Sequence, residues 1–188
     1  MAQNASNVTS AKPNLAGAIS SAAVGTTLPT NHNTALDAKF KSLGYISEDG
    51  LTNSDTRKSD ELKAWGGDIV ETSQSEKSDK FKFTLLEVLN ADVLKEVYGE
   101  ANVSVDATGN ITVKSNSKAL TERSFVIDMI LKNGRIKRIV LPKAKVGDVG
   151  DITYADKKLS GFQLTLTAFP DADGNTHYEY ISATGGSK

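Results

Sequence analysis

Two histidines, His32 and His177, are the only imidazoles in the 188-residue chain, and cysteine is absent. A zinc site needs three or four nitrogen, sulfur or carboxylate ligands at short spacings, and neither histidine has a second ligand placed that way. Without cysteine there are no disulfides, thiolate metal sites or thiol nucleophiles. Asp171-Ala172-Asp173-Gly174-Asn175 invites comparison with a calcium loop, which carries glycine sixth and a bidentate glutamate twelfth. Here glycine is fourth and the twelfth position is Ser182, so the stretch reads as a turn between Phe169 and Tyr178. Glu87 and Asp128 are candidates for general acid–base work. Nothing in their spacing makes them converge, and solvent-facing strand positions account for them. No G-x-S-x-G elbow, Walker loop or dinucleotide fingerprint occurs. The side-chain inventory points away from an enzyme and calls for no cofactor and no metal.

Charge is distributed more informatively than it sums. Lys and Arg number 22, Asp and Glu 23, for a net charge of −1, which excludes bulk electrostatic capture of nucleic acid. Residues 122–150 hold seven basic and three acidic side chains, whereas 35–80 hold seven basic and ten acidic. Lys132, Arg135, Lys137, Arg138, Lys143 and Lys145 follow one another with no acid between. Three readings stay open. The cluster is a nucleic-acid patch, although it lacks interleaved aromatics for stacking. Alternatively, it docks on the acidic region of a neighbouring copy. Or it is a solvated edge hairpin whose lysines discourage unwanted pairing.

The elements that must position these side chains follow from periodicity. Hydrophobic residues make up 38% and glycines number 15, within the globular range. No run approaches the ~18 apolar residues of a membrane span. Residues 1–34 are different: 23 of the 34 are Ala, Asn, Ser, Thr or Gly, and Lys12 is the only charge. Such a segment buries too little apolar surface to offset its ordering entropy. It predicts an extended arm over 1–35 ahead of a β domain over 36–188. Leu15–Val24 is too weakly apolar for a secretory signal. Residues 47–64 read as a long polar loop, a length that usually has a function.

From Phe81 the pattern is strand-like. Phe81, Phe83 and Leu85 alternate with polar residues, as do Phe162, Leu164, Leu166 and Ala168, while Phe125, Ile127, Met129 and Leu131 alternate with Val126, Asp128 and Ile130. Thr108-Gly109-Asn110 and Asn133-Gly134 predict hairpin turns. One helix stands out, capped by Asn90, carrying Val93, Leu94 and Val97 on one face and ended by Gly99. The sum is an all-β sandwich or open barrel with one short flanking helix.

Gly44-Tyr45-Ile46-Ser47-Glu48-Asp49-Gly50-Leu51, then Trp65-Gly66-Gly67, Phe83-Thr84-Leu85-Leu86-Glu87 and Tyr98-Gly99 form an ordered series. In that order they resemble the major tail (tail tube) proteins of long, non-contractile-tailed bacteriophages of the siphovirus type, especially those of actinobacterial hosts. The resemblance is specific over residues 44–99 and general elsewhere. It implies the tail tube β-fold, related to the type VI secretion tube, in a structural subunit made in the host bacterial cytoplasm and residing in the virion tail. It also implies a homohexameric ring, rings stacked into a tube, and DNA passing through without specific binding. Implied partners are the tape-measure protein, a tail terminator and a distal tail protein, with no membrane.

On that reading Tyr45, Glu48, Asp49, Leu51 and Trp65, with Arg135, Lys137 and Arg138, are candidates for contact between subunits. Gln163, Thr165 and Thr167, together with Asp128, are candidates for the bore. The bore is expected to be neutral to acidic, because basic contacts add up along a duplex. The competing reading is a monomeric β-sandwich module binding carbohydrate or another surface ligand. That module needs an exposed aromatic cluster, and the chain has 6 Phe, 5 Tyr and 1 Trp, several at predicted core positions.

Overall fold

A computed structural model describes residues 3–14 and 17–183. Its strands are β1 (Ala11–Pro13), β2 (Ile19–Ala23), β3 (Lys41–Ser42), β4 (Ile46–Lys63), β5 (Ile69–Leu85), β6 (Val103–Val105), β7 (Ile111–Val113), β8 (Arg123–Leu131), β9 (Ile136–Val149), β10 (Phe162–Ala168) and β11 (Tyr178–Ile181). The main sheet runs β3-β2-β8-β9-β10-β5-β4, with β1 also on β8 and β11 also on β9. β6 and β7 pair separately. The class is all-β, and the sheet stays open instead of closing into a barrel.

One face of the sheet holds the main core. Phe81, Phe83 and Leu85 of β5, Phe125 and Ile127 of β8, Ile139 and Leu141 of β9, and Leu164 and Leu166 of β10 are buried in a single cluster. Each fully buried side chain of this size is worth about 1.5–3 kcal/mol. The helix α1 (Ala91–Tyr98) adds Val93, Leu94 and Val97 to it. Asn90 accepts from the Asp92 amide at 3.0 Å, and Gly99, at φ 93°, donates its amide to the Lys95 carbonyl. Both ends of the helix are therefore capped as the sequence predicts, and so is the Asn133-Gly134 turn, with Asn133 at φ 61°.

Two regions depart from expectation. Residues 47–64 are not a loop: all but Ala64 belong to β4 (Ile46–Lys63), 18 residues long and laddered against β5 from Leu51 onward. The N-terminal segment is not a free-standing arm either. β1 pairs with Met129–Leu131, β2 pairs with Arg123–Ile127, and Ile19 is completely buried. Residues 24–40 then cross the opposite face of the sheet, where Leu28, Leu36 and Phe40 cover Ala22, Val126 and Val140. That second layer explains why β8 is buried on both faces.

Candidate functional site

The outer part of the β4–β5 hairpin touches no core. Every side chain from Thr52 to Lys77 is exposed. Cross-strand and same-face ion pairs lie along it, Lys58 to Glu76 at 2.6 Å and Lys63 to Glu61 at 3.4 Å. At its tip Gly66 and Gly67 adopt φ 117° and 99°, a left-handed backbone that side chains resist. The Gly67 amide donates to the Ala64 carbonyl at 3.0 Å. Trp65, the only tryptophan, is fully exposed there, with Leu62, Ile69 and Val70 exposed beside it.

The hairpin is anchored at its base by Asp79. Asn53 Nδ2, Thr176 Oγ1 and His177 Nδ1 meet its carboxylate at 2.8, 2.6 and 2.6 Å. His177 also sets its ring edge-on to Phe81. Burial pushes the Asp79 carboxyl up, and the donors from Thr176, Asn53 and His177 more than reverse this, leaving it below the ordinary carboxylate value. His177 thus has a structural partner at the hairpin base.

Where β4 begins, its register on β5 breaks between Ile46 and Leu51. Ser47 to Gly50 bulge outward and wall a groove of about 310 Å³, whose opposite wall is β1 with Ile127 and Met129 of β8. This groove is the seam left where the curled sheet fails to close. Glu48, Asp49 and Leu51 line it, and Tyr45 lines the adjoining hollow. Glu87 is structural: it accepts from the Tyr45 amide and from Asn90 Nδ2. Its carboxylate sits so close to Gly44 that a Cβ there would collide with it.

The basic cluster is largely occupied within the chain. Lys137 pairs with Glu179 at 2.7 Å, and Arg135 Nε donates to the Ser182 carbonyl at 2.8 Å. Arg138 Nε and Nη2 donate to the two carboxylate oxygens of Asp128 at 2.7 and 2.8 Å. Its Nη1 donates to the carbonyls of Thr34 and Asn31. Both members of this pair are buried. Arg138 at an interface and Asp128 in the bore are therefore corrected: each satisfies the other beneath residues 31–34, and neither is presented to a partner. A sequence offers no signal for such a pairing beyond opposite charges at compatible strand positions.

A further ion pair, buried at its carboxylate end, joins α1 to β8. Arg123 Nε lies 2.6 Å from Glu96 on α1, and Ser21 of β2 also donates to that carboxylate. Burial pushes the Glu96 carboxyl up against the opposing pull of Arg123 and Ser21. The pair ties the helix to the sheet.

Gln163, Thr165 and Thr167 point away from the core, as expected from alternation. Their register partners are Thr84, Lys82 and Lys80 on β5, and Asp148 and Lys145 on β9. That polar face carries Lys80, Lys82 and Lys145 against Asp148.

The family model for phage tail tube protein matches residues 1–186. The chain belongs to the phage tail tube protein family. No curated protein matches it. A tail tube protein is a structural component of the virion tail that assembles with itself into a tube, and the family is not one of enzymes. Among the described residues, no cluster of His, Asp or Glu could hold a metal ion, and no helix is long and apolar enough to cross a membrane.

Proposed function

We propose that six copies close into a ring, that rings stack, and that the resulting tube conducts DNA from capsid to host in a long, non-contractile tail. The uncovered surface of the single chain supports this most directly. Its accessible area is 12321 Å², whereas a compact monomer of this mass exposes about 8,700 Å². The excess of about 3,600 Å² amounts to several interface faces of about 800 Å² each. The outer edge of β4 adds a row of unpaired backbone groups, a template for another chain.

Ring geometry makes the conduit plausible in size. Four strands from each of six copies, about 24 at ~4.8 Å spacing and ~40° tilt, give a backbone diameter of about 48 Å. Side chains of about 5 Å on each wall leave about 38 Å, room for a duplex. We assign the uncovered face with Gln163, Thr165 and Thr167 to the bore. Lys80, Lys82 and Lys145 then make DNA passage faster as salt rises. Tyr45, Glu48, Asp49, Leu51, Trp65, Arg135 and Lys137 remain the proposed contacts between subunits. The tape-measure protein, tail terminator and distal tail protein are the proposed further partners.

The monomeric binding module is the weaker reading, because Trp65 and Tyr45 lie nearly the length of β4 apart and form no aromatic platform. Electron microscopy of virions and of concentrated protein is the test. Sixfold rings and striated tubes are expected. Tails lacking this chain, with the protein monomeric at every concentration, would overturn the proposal.

A further inference from the structure

We propose that the cleft between α1 and β2 is a binding site for a phosphate-class oxyanion, either inorganic phosphate or a phosphomonoester, and the proposal does not rest on the tube reading. The cleft holds about 260 Å³ and opens where the segment that covers the far face of the sheet comes round its edge into β3. Ser21, which lines it, donates to Glu96 of α1. The cleft therefore lies on the helix side of the sheet, away from the face that carries Gln163, Thr165 and Thr167. Its volume falls just below the range of about 300–1,000 Å³ that takes a drug-sized ligand, so the guest is a small one.

Charge accounting points to an anion. Phe40 turns its ring into the second cluster, while Lys39 and Lys41 on either side of it both line the cleft. Neither ammonium group has an ion-pair partner among the described residues. The three acids of the cleft are already matched. Asp92 lies 3.5 Å from Lys95, Glu96 lies 2.6 Å from Arg123 Nε, and Glu100 lies 3.6 Å from Arg123 Nη1. What the cleft holds in surplus is positive charge, concentrated on the two lysines.

Hydrogen-bond capacity points the same way. An arginine carries five N–H donors. The outer nitrogens of Arg123 reach only Ser21 Oγ at 3.5 Å and Glu100 at 3.6 Å, long beside the about 2.7–2.9 Å of a charge-assisted bond. Arg123 Nε is buried with no acceptor in line, although Glu96 is 2.6 Å away. Thr26, also buried, brings a hydroxyl to the same lining. A tetrahedral oxyanion offers several acceptor oxygens around one charged centre, which suits two ammonium groups and a guanidinium better than the two oxygens of a planar carboxylate. Asp92 and Glu100 on the helix repel a second anionic group, which restricts the guest to a compact anion and excludes a polyanion.

The test is titration of the unassembled full chain with inorganic phosphate, and separately with glycerol 3-phosphate, at an ionic strength held constant with chloride and followed by amide NMR. Saturable shifts are expected at Ser21, Thr26, Lys39, Lys41 and Arg123. Lys39→Gln and Lys41→Gln change exposed side chains and should keep the fold. Each should weaken binding about tenfold, the loss of one charged hydrogen bond. Glu100→Gln should tighten binding severalfold, because it removes a repelling carboxylate and releases Arg123 Nη1. Lys114→Gln, an exposed lysine just past β7, should bind like the parent. Saturation by both ligands assigns the site to phosphomonoesters, and saturation by inorganic phosphate alone assigns it to the free ion. Shifts that never saturate, shifts that chloride reproduces, or lysine variants that bind like the parent would overturn the proposal. Because the chain is unassembled throughout, none of these results bears on whether rings and tubes form.

Discussion

β5 is one strand that obeys two regimes. Between Phe81 and Leu85 it alternates buried Phe81, Phe83 and Leu85 with polar residues, paired on both sides by β4 and β10. Between Ile69 and Lys77 it keeps its ladder to β4, yet no side chain is buried on either face. A two-stranded hairpin alone in water is marginally stable at best. The inner half is held by a core within the chain, while the outer half is secured only by its base and by whatever covers it in the assembly. Folding of the subunit thus rests on the inner stretch of the strand, and the outer stretch is the part we propose for contact between copies.

Removing the core side of this division should have the largest effect. Phe81→Ala takes an aromatic from the centre of the main cluster and should cost about 3–5 kcal/mol of subunit stability in denaturant titration. Asp128→Ala should cost about 3 kcal/mol, because it leaves the Arg138 guanidinium buried without its counter-charge. An unchanged midpoint in either variant would mean that the sheet does not carry the subunit.

The boundary between the two regimes should be acid-sensitive. Asp79 sits below its ordinary value of 3.8 in the fold. A carboxylate with a depressed folded pKa stabilises fully above its unfolded value and loses that contribution as pH falls through the folded one. Asp79→Asn should therefore cost about 2 kcal/mol near pH 7, through weakened charge-assisted hydrogen bonds. It should also flatten the stability loss that the parent shows below about pH 4. A variant with the same acid slope as the parent would show that Asp79 does not anchor the hairpin.

The smallest expected effect on the subunit accompanies the largest on the assembly. Replacing residues 58–76 by a two-residue Asn-Gly turn, which joins the paired Arg57 and Lys77, should change subunit stability by no more than about 0.5 kcal/mol, since nothing buried is lost. The same variant should form no tubes by electron microscopy. Tubes of normal length from it would erase the contrast between the two halves of β5.

Legibility followed burial. β10 and the inner half of β5 are readable because one face of each meets the core and alternation records it, and β8 because its run of apolar residues is buried on both faces. α1 was readable from Asn90 and Gly99, whose conformational roles are local. β4 carries no strand signal in the sequence because period-two hydrophobicity arises only when one face is dry, and Thr52 to Lys63 is wet on both. β1 and β2 were hidden for a different reason. Ser20, Ser21, Ala22 and Ala23 are small enough to lie against bulky neighbours without showing a pattern of their own. The order of Tyr45, Glu48, Asp49 and Leu51 around a groove depends on the outward bulge at 47–50, which no propensity encodes. The Asp128–Arg138 pair needed the register of β8 on β9 to be seen.

Arg138 has a consequence for the order in which the chain is completed. It fastens the backbone of Thr34, from which it is separated by 104 positions in sequence. At about 5–20 residues per second of synthesis, the clasp is translated some 5–20 s after the loop it holds. For that interval residues 24–40 have no β9 beneath them, and the flap can close only near the end of translation.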